Sequence, residues 1–315
     1  MNVYSPLFCE SVAAWLDKKA LDIRPNTLLS YKVIADASII PSLGDTSTAD
    51  LTRQQIQKYF VSLKNRGVTV NTMMKHKVII HGVLEDALID GVVSANVADH
   101  VKLPKKEKYE GHALTEEEVG RLLARIKAEP EPLRSAITFA LVYGMRRSEI
   151  CGLRWKDVDL TAKVLRIRNT CTEFSGRQFE TERTKSKKSR RDLFLIDDTV
   201  EYLSSLRTQQ IKKGYRLDKV CLCKDGTPIK PENLTRAVKR LLKKLGYDNV
   251  RLHDLRHTAA SLLARRLPVK NVQEFLGHED VSTTLNIYTH IFDADRQVTA
   301  QTMSSILQRL SKNLA

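Results

Sequence analysis

The sequence predicts a mainly α-helical protein of two domains, with a small β-sheet confined to the second. Three observations carry that prediction. The chain has 315 residues, more than the ~250 to 300 at which a single hydrophobic core usually stops growing. Its first hundred residues divide into four stretches with apolar side chains at helical spacing. Strand-like segments, short and bounded by turn residues, occur only after residue 160.

In residues 8–20, Phe8, Val12, Trp15 and Leu16 fall on one face. Asn26 reads as the cap of a helix over residues 27–40 that Pro41 stops, Thr52 as the cap of one over 53–65 ended by Gly67, and Asn71 precedes a fourth over 73–90 ended by Gly91. Residues 1–100 therefore form a compact four-helix unit. Its charge is balanced, with ten Lys/Arg and ten Asp/Glu. Lys64, Arg66, Lys75, His76 and Lys77 gather around one inter-helix turn, where a DNA duplex could be touched; chance clustering on a solvated surface explains them equally well.

Residues 101–112, VKLPKKEKYEGH, read as a basic linker lying along phosphates, with Lys105 and Lys106 as its contacts, or as a plain solvated tether. A capping box, Thr115 with Glu118, then opens a helix through Ile126 and starts the second domain, residues 113–292. The net charge of +15 falls entirely after residue 100. That half of the chain faces a polyanion, or carries a basic but solvated surface. Five cysteines, with no C-x-x-C among them, read as reduced thiols of a cytosolic protein, and Cys221 and Cys223 as strand packing. No signal peptide follows Met1, no apolar run approaches the ~18 residues of a membrane span, and the mean hydropathy is −0.31. No membrane residence is expected.

The second domain begins with helices to Tyr143, followed by a glycine turn at Gly144 that places Arg146 at a helix start, with Glu149 one turn on to orient its guanidinium. Strand-like segments follow at residues 164–168, 178–182 and 192–196. Between the last two, Thr184 to Arg191 (TKSKKSRR) reads as a basic hairpin tip carrying Lys185, Lys187 and Lys188, either plainly solvated or putting a lysine into a DNA groove, with Lys187 and Lys188 as DNA contacts. Helices near 200–212 and 232–245 flank a strand at 219–223 and the turn Lys224-Asp225-Gly226-Thr227-Pro228.

Residues 251–290 gather the most candidate chemistry. His253 and Arg256 stand three apart at a helix start, one turn apart on one face, where they and the helix N-terminus suit a phosphate. A helix over 269–276 ends at Gly277, a residue suited to the left-handed cap, and the turn is expected to aim His278 outward. Asp280 or Ser282 can cap a further short helix that carries Tyr288. Each residue alone has an ordinary packing or capping reading; the combination suits phosphate handling better than a core.

Gly-Met-Arg-Arg-Ser-Glu, Thr-Lys-Ser-Lys-Lys-Ser-Arg-Arg, His-Asp-Leu-Arg-His, Leu-Gly-His-Glu and Tyr-Thr-His, in this order, resemble the tyrosine recombinases of the phage-integrase type, most closely the integrases of phages and conjugative transposons. The resemblance spans residues 5–292. It implies a helical core-binding domain and a mixed α/β catalytic domain forming a C-shaped clamp on double-stranded DNA. It also implies Tyr288 as nucleophile, Arg146, Lys185, His253, Arg256 and His278 as its catalytic partners, and no metal or cofactor. Lys187 and Lys188 are close neighbours of Lys185; aligning Ser189-Arg190-Arg191 without a gap favours Lys185.

The implied mechanism is chemically consistent. Two forked, permanently charged arginines hold the non-bridging oxygens of a phosphodiester. Tyr288 attacks to give a 3′-phosphotyrosine and a free 5′-hydroxyl, with His253 as base, Lys185 as acid to the departing oxygen, and His278 as a hydrogen-bond donor. The expected assembly is a homotetramer on DNA passing through a Holliday junction, with accessory DNA-bending or directionality proteins. The expected location is the bacterial cytoplasm, at the nucleoid when bound. A type IB topoisomerase-like enzyme and a catalytically silent DNA-binding protein are the alternatives; the small helical domain and the Leu-Gly-His-Glu turn favour the recombinase. In residues 293–315, Val298, Met303, Ile306, Leu307 and Leu310 form an apolar stripe that must be buried, on this catalytic domain or in trans on a neighbouring protomer.

Overall fold

The computed structural model describes residues 5–106, 113–181, 190–216, 218–278, 280–282, 284 and 285. The chain folds as two units, Met1–Tyr109 and Glu110–Ala315, each with its own hydrophobic core.

In the first unit, α1 (Phe8–Lys19) buries the four apolar residues that its periodicity singles out. The second helix departs from expectation. It starts at Pro25 rather than Thr27, because Pro25 needs no partner for an N–H at the first helical turn. It also runs through Pro41, as α2 (Pro25–Ile34), a π-helical turn Ala35–Ile39, and α3 (Ile40–Leu43). The π turn shifts the hydrogen bonding by one residue, so that Ile40 N–H donates to the Ala35 carbonyl and the helix passes a residue with no N–H of its own.

In α4 (Arg53–Asn65) the Thr52 hydroxyl accepts from Gln55 N–H at 3.3 Å and Gln55 Oε1 accepts from Thr52 N–H at 2.8 Å. α5 (Val70–Ile89) starts earlier than the sequence suggests, because Thr69 and not Asn71 supplies the cap. Its buried stripe includes His76, which therefore belongs to the core and not to a DNA-facing cluster. Its Nδ1 lies 2.6 Å from the Tyr59 hydroxyl, and burial lowers its pKa to about 4.

The second unit is built around α7 (Leu133–Val142), which buries Ser135, Ala136, Ile137, Phe139, Ala140 and Leu141. α6 (Glu116–Ile126), opened by the Thr115 and Glu118 box, packs beside it. α8 (Arg147–Gly152) follows the Gly144 turn. The helices α9 (Asp197–Lys212), α10 (Pro231–Lys244), α11 (Leu252–Ala264) and α12 (Val269–Leu276) follow among the described residues, with α10 and α11 against α7.

Its described strands form two antiparallel sheets. One has the order β1 (Val158–Asp159), β2 (Val164–Ile167), β5 (Arg191–Phe194); the other pairs β3 (Thr170–Phe174) with β4 (Arg177–Thr181). β3 is a strand the sequence reading misses. Ser175 and Gly176, with φ of 48° and 75°, make the two-residue turn that pairs β4 with β3. β5 instead pairs with β2, Arg191 opposite Ile167. In the described residues β4 and β5 are thus not partners of one hairpin; residues 182–189 between them, with Lys185, Lys187 and Lys188, lie outside the described residues. Residues 219–223 form no strand either, only single pairings of Lys219 with Arg154 and Leu222 with Pro228. No described helix is long and apolar enough to cross a membrane.

Candidate active site

Gly144 starts the site. Its φ is +58°, a left-handed conformation that strains any other residue, and a Cβ there would lie 2.6 Å from Leu276 Cδ2 and push that side chain aside. The turn delivers Arg146 to the N-cap of α8. Glu149 then reaches back: its Oε2 accepts from Arg146 N–H at 2.9 Å and its Oε1 from Arg146 Nη1 at 2.8 Å. Nη2 of Arg146 donates to the Gly277 carbonyl at 2.8 Å. The orientation of this guanidinium by Glu149 is as the spacing predicts.

Arg256, on α11, is 2% exposed. It forks between the Gly144 carbonyl and the Leu276 carbonyl, the latter at 2.8 Å. Both arginines therefore bond the C-terminal carbonyls of α12, the negative end of a helix dipole. Gly277, with φ 64° and ψ 46°, supplies the left-handed cap that turns these carbonyls toward them. Burial first, and then the charge of Arg146, pull the Arg256 pKa well down, with Glu149 opposing. An anionic ligand relieves that cost.

Glu149 is 2% exposed. Burial alone raises a carboxyl pKa; Arg191, then Arg146 and Arg256, more than offset it and hold Glu149 at about 2. Arg191 grips it with two N–H groups, Nη2 to Oε2 at 2.9 Å and Nη1 to Oε1 at 3.1 Å.

His278 does not point outward. It is 9% exposed, with Nδ1 2.9 Å from the Thr284 hydroxyl. Gly277 fixes the turn as expected, but a partner six residues on turns the ring in. Asp280, rather than Ser282, is the capping group there: its Oδ1 accepts from Ser282 N–H at 2.8 Å. Burial, followed by the charges of Arg256 and Arg146, lowers the His278 pKa to about 3. His253 stands on the accessible side of α11, edge to face with His257 at 4.8 Å; the desolvation it does feel, then His257 and Arg256, lower its pKa to about 4. Both rings are neutral at pH 7.

A stability effect follows for His278. Between an unfolded pKa of ~6.5 and a folded one near 3, the unfolded chain binds a proton that the folded chain does not, so stability falls as pH drops through that window. Urea melts at pH 7.5, 6.0 and 5.0 should show wild type losing more stability on acidification than His278→Gln, by up to about 1.4 kcal/mol per pH unit below 6.5. Parallel losses in the two proteins would mean that the His278 ring titrates normally.

The structure thus brings together Arg146, Glu149, Arg256 and His278, with His253 at the margin. A cavity of about 350 Å³ lined by Arg190, Arg191, Lys270, Gln273, Glu274 and His278 adjoins them. Tyr288 and Lys185 lie outside the described residues, as do Lys187 and Lys188. Among the candidate DNA contacts of the first unit, Lys64, Arg66, Lys105 and Lys106 are exposed. Lys75 Nζ donates to the Ser30 hydroxyl at 3.4 Å, and Lys77 Nζ to the Val101 carbonyl at 2.8 Å. Among the described residues no group of His, Cys, Asp and Glu is placed to hold a metal ion. Sequence reasoning missed Arg191 and Thr284; the first could have been sought as a partner for a buried Glu149, while nothing local marks the second.

The family model "Phage integrase family" matches residues 112–295, and "Phage integrase, N-terminal SAM-like domain" matches residues 7–64. The chain belongs to the phage integrase family. As a member of that tyrosine-recombinase family it is an enzyme that breaks and rejoins DNA strands. The ICEBs1 integrase of Bacillus subtilis is 23% identical over 307 residues, covering 94% of this integrase chain and 82% of the relative. The Tn1549 transposon integrase in complex with transposon right end DNA has the same fold, with a TM-score of 0.80 at 20% identity over 94% of this chain and 99% of that one. So does a lambda integrase tetramer bound to a Holliday junction, with a TM-score of 0.68 at 19% identity over 90% and 77%.

Proposed function

We propose that this recombinase integrates or excises a mobile element by site-specific exchange between two DNA duplexes. The observation that carries the proposal is the convergence of Arg146, Arg256 and His278 at the C-terminus of α12, with Glu149 holding the first. Two forked cations at one place suit the non-bridging oxygens of a phosphodiester, whose charge grows as a fifth ligand adds to phosphorus. In this reading Tyr288 attacks, a 3′-phosphotyrosine forms, and a 5′-hydroxyl leaves. His253 accepts the tyrosine proton, Lys185 protonates the leaving oxygen, and His278 donates to the phosphate. This role requires the neutral His278 ring to carry its proton on Nε2, the tautomer in which Nδ1 accepts from the Thr284 hydroxyl 2.9 Å away. A phosphate anion brought against the site raises both histidine pKa values, which suits His253 as a base. One phosphate ester replaces another, so no external energy source is needed.

Residues 1–100 act as the core-binding domain, 101–112 as the linker and 113–292 as the catalytic domain, working as a tetramer on its attachment sites. The lambda integrase tetramer and the Tn1549 integrase bound to its transposon end support this reading by likeness of fold. A two-duplex exchange assay tests it: joint products should form, whereas relaxation of a single supercoiled circle without exchange would make the chain a topoisomerase.

Lys185→Ala should cleave slowly on a normal substrate and regain most of its rate on a 5′-bridging phosphorothiolate, whose sulfur leaves without a proton. If Lys187→Ala is the variant rescued, the acid is Lys187. For the tail, removing residues 296–315 should leave single-site binding largely intact while abolishing synapsis, as trans docking requires. Ordered recombination by the shortened protein would place the stripe on its own domain.

A further inference from the structure

We infer that Arg191 is a positioning residue that sets Arg146 through Glu149; this rests on the reading of Arg146 as a ligand of the reacting phosphate. The Glu149 carboxylate is shared. Each of its oxygens accepts one bond from Arg146 and one from Arg191, the four distances lying between 2.8 and 3.1 Å. The side chains of Arg191 and Glu149 are 6% and 1% exposed, so water does not substitute for either partner.

Arg191 is itself held by the sheet. It opens β5 opposite Ile167 of β2, and its carbonyl accepts from Arg168 Nη1 at 3.1 Å. A bidentate guanidinium on a fixed strand fixes the plane of the carboxylate it grips. That plane determines where Oε1 meets Arg146 Nη1, and hence which way the remaining N–H groups of Arg146 face. A buried ion pair gives little net stability compared with apolar packing of the same volume, so orientation is the more economical account of this one.

Charge points the same way. Arg146, Arg191 and Arg256 carry three positive charges against the one carboxylate that bonds two of them. The surplus of two matches the charge that a phosphodiester approaches as the fifth oxygen adds. Arg191 also neutralises Glu149, which would otherwise compete with the phosphate for Arg146. Removing Arg191 leaves the carboxylate free to draw Arg146 to itself.

The test is a double-mutant cycle on single-turnover cleavage, using a nicked suicide duplex that carries the attachment-site core of the element encoding the chain. Arg191→Met in the wild-type background should slow cleavage by roughly 10- to 100-fold while changing DNA affinity less than about threefold, since a displaced transition-state donor costs rate more than binding. In the Glu149→Gln background the same substitution should cost less than about threefold, because the residue through which it acts has already been altered. Equal losses in both backgrounds, or none in the wild type, overturn the inference. Should Arg191→Met not fold, Arg191→Lys keeps the charge without the fork; it should show an intermediate rate loss at unchanged affinity, and a wild-type rate overturns the inference. Failure of the underlying reading looks different: there the wild-type protein itself forms no covalent product.

Discussion

Arg256→Ala should lower single-turnover cleavage by at least two to three orders of magnitude, the ~2.7 to 4 kcal/mol typical of one lost transition-state donor. DNA affinity should change far less, because binding is spread over many phosphate contacts on a chain of net charge +15. Two further costs add to the chemical one. The fork from Arg256 to the Gly144 and Leu276 carbonyls ties the turn before α8 to the end of α12. Its removal leaves two carbonyls without that donor, at about 1 to 3 kcal/mol each if they stay buried. The variant should therefore also melt earlier. Arg256→Lys should recover little, since one ammonium cannot reach both carbonyls and a phosphate with the same planar geometry. Equal losses in binding and cleavage would reduce Arg256 to a phosphate anchor.

Much of this arrangement is local and so was legible in the sequence. Thr52 with Gln55 and Thr115 with Glu118 cap helices in the same four residues that encode them. Glu149 holds Arg146 because three residues separate them across one helical turn, and Gly277 closes α12 because its backbone is left-handed there. Where long-range partners decide, local reading fails. His278 turns inward for the hydroxyl of Thr284, and Glu149 is shared with Arg191 from 42 residues away; no spacing rule connects such pairs.

At other positions a local signal does suffice. His76 follows Met73 by three and precedes Ile79 and Ile80 on the buried stripe of α5, so helical periodicity alone places it in the core. Ser175-Gly176 is a two-residue turn signal, and it pairs β4 with β3. Pro41 has a subtler lesson: a proline stops an ideal helix, but a π turn ahead of it can absorb the missing N–H. The run at 219–223 is apolar enough for a strand, yet its backbone groups are satisfied piecemeal, Val220 N–H by the Leu153 carbonyl and Ile229 N–H by the Cys221 carbonyl.

The second large effect concerns Tyr288. Phenylalanine there removes one oxygen and nothing else from the ring, so site-specific DNA binding should persist while covalent chemistry stops entirely. Unlike the loss of an arginine, this loss has no slow residual pathway through the same intermediate, because phenylalanine has no oxygen with which to form the ester. His253 and the two arginines remain in Tyr288→Phe, so a residual reaction would expose a different nucleophile.

The most direct measurement is to incubate the wild-type protein and Tyr288→Phe with the nicked suicide duplex, denature, and map any DNA-linked peptide by mass spectrometry. A covalent adduct should form in the wild type only, with the DNA 3′-phosphate on Tyr288 and a free 5′-hydroxyl on the released strand. An adduct that survives in Tyr288→Phe, or that maps to another residue, would contradict it.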